Sequence, residues 1–175
     1  MGRQLLFCVE TDKQCNSDWI YIKNFIDTYC TYDKAEIRFE KLYMGGKGKY
    51  NTPKFERMVQ KKISDYKKIA KGDTVVIYCF DCDDYDIEPR DKDRIEAEEQ
   101  YCRDKGFEFV WFCKDIERVF VGQKVPDDEK KKTAEEYSKK ELITTLKPEK
   151  MHGTKFKNGV SNLANVLERY MTVMN

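Results

Sequence analysis

The stretch Thr74-Val75-Val76-Ile77-Tyr78-Cys79-Phe80-Asp81-Cys82-Asp83 decides how this chain is read. Its run of β-branched, aromatic and small apolar residues follows the Gly72-Asp73 turn and breaks into acid at Asp81. A run this uninterrupted suits a strand buried on both faces, as in parallel sheets covered by helices. In such sheets ligands bind beyond the C-terminal strand ends, so Asp81 and Asp83 stand where chemistry is expected.

Upstream, the apolar residues 5–9 end at Glu10, and Asn16 or Ser17 can cap a helix carrying Trp19, Ile22, Phe25, Ile26 and Tyr29. A second strand is expected over 36–44. The loop Gly45-Gly46-Lys47-Gly48-Lys49 follows, then a helix over about 53–70 with Phe55, Met58, Val59, Ile63 and Tyr66 on one stripe. Downstream, an acidic loop leads into a helix over about 91–105 that Gly106 stops, and residues 107–113 make a fourth strand. A short helix over 115–121, a polar connection over 125–132, and helices over 133–146 and 160–171 complete the expectation. The reading is a single α/β domain over 1–175. Its core, about 1–121, is a Rossmann-like, mostly parallel four-stranded sheet with helices on both faces, and about 122–175 form a helical C-terminal extension.

The chain is 37% charged, yet 33 Lys and Arg nearly balance 32 Asp and Glu, which argues against a strongly basic DNA-coating protein. The charge is segregated instead. Residues 41–71 carry ten bases against two acids and 130–158 nine against four, while 81–99 carry ten acids against three bases. Separate patches of this kind suit a site where cations and phosphates meet. The plain alternative is that the lysine-rich helices are solvated faces.

The first apolar run is too short for a signal-peptide core, Leu6 stands where myristoylation prefers Ser or Thr, and no segment approaches 18 apolar residues. Seven cysteines, an odd number with Cys8, Cys79 and Cys113 inside apolar strands, point to reduced thiols and a cytoplasmic setting. Cys79-Phe80-Asp81-Cys82 matches C-x-x-C, but no second Cys or His pair follows to complete a zinc site.

Glu10 and the Asp81/Asp83 pair therefore form the candidate centre. Clustered carboxylates repel, and a hard cation is the simplest remedy, so Mg²⁺ or Mn²⁺ bound by Glu10, Asp81 and Asp83 is expected. Lys47 and Lys49 in the glycine-rich loop are candidate phosphate ligands, although the loop lacks the Gly-Lys-Ser/Thr ending of a Walker motif. The competing reading makes Asp81 a cap, Asp83, Asp84 and Asp86 a solvated loop, and the glycine loop a plain turn. His152, the sole histidine, lies in a polar loop and suggests no catalytic pair.

Residues 5–10, with one Glu at a strand end, and residues 75–83, with Asp-x-Asp at another, resemble the two signatures of the Toprim domain. That domain is shared by topoisomerases, primases, OLD-type nucleases and RloB-like proteins. Residues 111–117 with 159–163 are similar to the later part of small OLD- and RloB-related proteins. The resemblance implies that Glu10 acts as general acid/base or metal ligand, that Asp81 and Asp83 bind Mg²⁺, and that the chain is a metal-dependent nuclease or related phosphotransferase acting on DNA or RNA. Thr11 replaces the glycine common after the first Glu, and Tyr85 stands where topoisomerases carry another acid. The alternative function is a non-catalytic module of the same fold that binds nucleic acid or a protein partner. A haloacid dehalogenase-like reading of Asp81 and Asp83 is set aside, because that motif normally ends the first strand.

Overall fold

Leu5, Leu6, Phe7, Cys8 and Val9 are all 0% exposed. A strand loses all contact with water in this way only when it has neighbours on both edges and cover on both faces. In the computed structural model, which describes residues 2–174, that strand is β1 (Arg3–Val9). It is followed by α1 (Ser17–Tyr29), β2 (Cys30–Thr31), β3 (Ile37–Tyr43), α2 (Pro53–Ala70), β4 (Asp73–Asp81), α3 (Pro89–Lys105) and β5 (Glu108–Cys113). Then come α4 (Ile116–Phe120), α5 (Lys130–Lys139), two 3-10 turns, β6 (Val160–Ser161), α6 (Leu163–Leu167) and β7 (Thr172–Val173).

The main sheet has the order β3-β1-β4-β5-β6, parallel except for β6, and β2 pairs antiparallel with β7 in a separate two-residue ribbon. The expected count of four strands is thus one short. Val160 and Ser161 pair antiparallel with Cys113 and Phe112, and a two-residue strand leaves no periodicity to read. The same pairing replaces the start of the helix expected over 160–171, which is confined to Leu163–Leu167. The helix expected over 133–146 begins earlier, at Lys130, and ends at Lys139, where Glu141 takes a left-handed conformation at φ 52°.

Alternation along the strands separates two cores. Leu5, Phe7, Val9, Ile77, Cys79, Val110 and Phe112 face the side packed by α1, α4, α5 and α6, while Leu6, Cys8, Val76, Tyr78, Phe80 and Trp111 face α2 and α3. Leu163, Leu167, Met171 and Val173 belong to the first of these cores, so the C-terminal segment packs against the sheet directly. On α2 the stripe is buried at Phe55, Val59 and Tyr66. Thr52 Oγ1 caps its first turn by accepting from the N–H of Phe55 at 3.3 Å, with Pro53 just inside. No described helix is long and apolar enough to cross a membrane.

Candidate functional site

Parallel pairing of β1 with β4, in register from Arg3 with Asp73 to Cys8 with Tyr78, carries Glu10 and Asp81 to the same edge of the sheet. The backbone N–H of Asp81 donates to Glu10 Oε1 at 3.2 Å, and Asp81 Oδ1 accepts from the N–H of Ile116 at 3.0 Å. Beyond β4 the chain leans on the end of β5: Cys82 N–H donates to the Phe112 carbonyl at 2.9 Å and Asp83 N–H to the Lys114 carbonyl at 2.6 Å. Asp83 sits in the left-handed region at φ 50°, which Asp tolerates better than most side chains. Its Oδ2 pairs with Arg94 Nη2 at 2.6 Å and its Oδ1 with Lys47.

The glycine loop reaches Asp83 because it is tied to the end of β1: Met44 N–H donates to the Val9 carbonyl at 2.8 Å and Gly46 N–H to the Glu10 carbonyl at 2.9 Å. Gly46, at φ 128°, adopts a conformation that side chains disfavour. The two candidate lysines are separated by this turn. Lys47 lines the acidic cleft, whereas Lys49 Nζ donates to the Gly45 carbonyl at 2.7 Å and lines another hollow of about 570 Å³ with Thr52 and Lys54.

The acidic cleft holds about 390 Å³ and is lined by Lys47, Asp81, Asp83, Asp115, Glu117 and Lys130, with Lys124 at its rim. Burial pushes Glu10 up to about 8; the Glu98 carboxylate adds to this, and Arg94 and Lys47 oppose it. Asp81 is raised as well, by burial first and then by the charge of Glu10. Glu98 and Glu117 are each raised to about 7 by burial, opposed by Arg94 and by Lys130 respectively. Buried acids with too few cations hold protons near neutrality, the condition that a bound cation relieves.

Sequence reading missed Arg94, Glu98 and Glu117. Arg94 Nη1 donates to both carboxylate oxygens of Glu98 at 3.0 Å and lies 3.8 Å from Glu10 Oε1, and its Nη2 also donates to the Asp81 carbonyl at 3.0 Å. Glu98 carried a legible signal: with Ile95 and Cys102 it falls on the buried stripe of α3, where an unpartnered acid is costly. Glu117 is 1% exposed and neither of its oxygens has a hydrogen bond; its nearest cation is Lys130 Nζ at 3.8 Å. The helical pattern at 115–121 marks Glu117 only as one residue of a short helix. His152 is tied to Glu168 at 2.9 Å and to the Pro148 carbonyl at 3.2 Å, and is not among the cleft residues.

No family model, curated protein or solved structure matches the chain. What the crevice can do is therefore set by its own donors.

Among the described residues, no group of three or more His, Cys, Asp or Glu side chains is arranged to hold a metal by itself. Mg²⁺ does not require such a cage, because it keeps several waters and takes one or two carboxylates together with substrate phosphate. The residues fit that mode. None of the described groups donates to Asp81 Oδ2 or Glu10 Oε2, and Glu117, which lines the cleft together with Asp81, has two oxygens without a hydrogen bond among the described residues. Asp83 is less available than its place in the motif implies, since both of its oxygens are engaged by cations.

Proposed function

We propose that the chain is a Toprim-like, Mg²⁺- or Mn²⁺-dependent phosphodiesterase acting on nucleic acid, with Glu10 and Asp81 at its centre. The observation that carries this reading is the hydrogen bond between the Asp81 N–H and Glu10 Oε1. It joins two buried carboxylates, both with raised pKa values, whose other oxygens have no donor among the described residues. Glu10, Asp81 and Glu117 would hold the ion, which when bound polarises a phosphodiester and neutralises its developing charge. Glu10, with a pKa raised to about 8, can give or take a proton near neutral pH. Lys124 and Lys130 line the same cleft and offset phosphate charge there, while Lys47, in the same lining, is already paired with Asp83.

One observation favours the alternative of a non-catalytic module binding nucleic acid or a protein partner: Asp83 is already neutralised by Arg94 and Lys47. A cleavage screen over single- and double-stranded DNA and RNA with Mg²⁺ and Mn²⁺ separates the two. Metal-dependent cleavage that disappears in Glu10→Gln and Asp81→Asn supports the enzyme. Binding without cleavage under every condition supports the module.

A further inference from the structure

Five oxygen sources converge on one guanidinium at the root of the acidic crevice, the outermost being Asp91 Oδ1 at 3.9 Å from Nε. Arg94 meets Glu98 with both carboxylate oxygens at 3.0 Å, Asp83 Oδ2 at 2.6 Å, the Asp81 carbonyl at 3.0 Å and Glu10 Oε1 at 3.8 Å. Carboxylates together with a backbone carbonyl are the donor set that hard divalent cations select. Here the set closes on a side chain instead. Arginine cannot shed its proton in a protein, so its charge is permanent, and it is the one cation among the described residues that is ion-paired with Glu98, which is 0% exposed.

We propose that Arg94 is a built-in cation standing in the place of a divalent ion among Glu10, Asp83 and Glu98, so that the crevice takes one divalent ion on the Asp81 side and not two. This rests on the metal-dependent reading of the same crevice, and it explains why Asp83 is spent on internal pairing. A fixed cation also makes the placing of Glu10 Oε1 and Asp83 independent of metal supply, leaving Glu10 Oε2 and the Asp81 and Glu117 oxygens to meet the added ion. Arg94 is not itself among the residues lining the cleft and reaches it through Asp83 and Asp81, so it is a positioning residue.

The test counts Mn²⁺ ions bound per chain, from the electron paramagnetic resonance signal of the free ion during a titration at pH 8. Arg94→Ala is expected to bind one ion more than the parent, Arg94→Lys the parent's number, and Arg94→Ala with Glu98→Gln to lose the additional ion. Equal numbers for Arg94→Ala and the parent overturn the proposal. If Arg94→Ala does not fold without metal, Mn²⁺ is expected to restore its far-ultraviolet circular dichroism, and failure to do so overturns the proposal equally. The two readings fail separately. A parent that cleaves nothing while Arg94→Ala gains an ion removes the nuclease reading alone, and a cleaving parent with no gain in Arg94→Ala removes the Arg94 proposal alone.

Discussion

Asp81 and Glu10 are joined through the backbone of one and the side chain of the other: the Asp81 N–H donates to Glu10 Oε1 at 3.2 Å. The bond fixes one oxygen of Glu10 by the end of β4, just as the N–H of Ile116 fixes one oxygen of Asp81 by the start of α4. Each carboxylate thus has one oxygen committed to the fold, and none of the described groups donates to the other. Adjacent parallel strands make this possible, because their ends advance together and backbone donors of one reach side chains of the next.

Replacing either acid by its amide tests that division of labour. Glu10→Gln and Asp81→Asn keep an oxygen for the structural bond but remove a charge from a crowded site. Mn²⁺ affinity is expected to fall at least about tenfold, the loss of roughly 1.4 kcal/mol. The melting temperature is expected to hold or rise, because a buried acid that is costly to ionise is gone. Titration calorimetry and thermal unfolding read the two effects, and unchanged Mn²⁺ affinity in both variants would contradict the assignment.

Stability is expected to fall as pH rises through neutrality in the absence of divalent metal. Glu10 is raised to about 8 and Glu98 and Glu117 to about 7, all from 4.5, so from about pH 4.5 up to about 7, and up to about 8 for Glu10, these acids are protonated when folded and ionised when unfolded. Unfolding then releases protons, and the stability these groups supply, complete below pH 4.5, is lost as pH passes 7 to 8. Glu40, Glu56 and Asp84, whose pKa values are lowered, act only below about pH 4.5 and do not offset this. The melting temperature without metal is expected to drop by roughly 5 °C or more between pH 5.5 and 8.5, at about 2–4 °C per kcal/mol. Added Mg²⁺ should recover part of the loss at the upper pH, and a flat or rising profile in metal-free buffer would refute the buried protonated acids.

Gly153 has a structural duty that its polar loop does not advertise. A Cβ there would lie 2.5 Å from Val160 Cγ1, 2.7 Å from Trp111 Cη2 and 2.9 Å from the Ser161 carbonyl. Its N–H donates to that Ser161 carbonyl at 2.8 Å and its own carbonyl accepts from Asn165 Nδ2 at 2.9 Å, so the backbone has little room to retreat. Gly153→Ala is expected to cost about 1–3 kcal/mol, the range for overpacking, read by urea denaturation. A change within 0.5 kcal/mol would mean that the loop over Trp111 yields easily.

The strands that build the crevice were legible because their signals are local: residues 5–9 and 74–80 are apolar throughout and end in acid. That they share one parallel sheet follows from the alternation of strands and helices; their adjacency, which brings Glu10 to Asp81, comes from the pairing of β1 with β4. The cations were not legible. Arg94 is one of three bases in a strongly acidic stretch, and nothing local distinguishes it from Arg90 or Lys92; its role arises from a helix phase that turns it, with Glu98, toward β4. Lys47 and Lys49 look equivalent in sequence, and only the positive φ angles of Gly45, Gly46 and Gly48 send them to different cavities. The fifth strand was hidden for a simpler reason, since two residues are too few to show a period.

That separation of the two lysines makes the last prediction asymmetric. Single-stranded nucleic acid binding weakens with salt by about 0.7 in log-log slope for each phosphate neutralised, because condensed counterions are released. A lysine already neutralised by a carboxylate has less charge to offer a phosphate, and Lys47 is paired with Asp83, whose charge raises the lysine's pKa against the opposing effect of burial. Among the described residues Lys49 Nζ is hydrogen-bonded to the neutral Gly45 carbonyl alone, and Lys54 lines the same hollow at the start of α2, where backbone N–H groups add to the attraction for anions. Lys49→Ala with Lys54→Ala is therefore expected to make the slope shallower by about 1.4, two contacts, while Lys47→Ala changes it by less than about 0.3. Sequence preference should not move in either case, since ammonium groups read charge and not bases. Fluorescence anisotropy of a labelled oligonucleotide across a salt series measures all three slopes. If Lys47→Ala carries the larger change, the strand enters through the acidic cleft and breaks the Lys47–Asp83 pair as it binds; if neither variant alters the slope, residues 41–71 are a solvated face and nucleic acid must be held elsewhere.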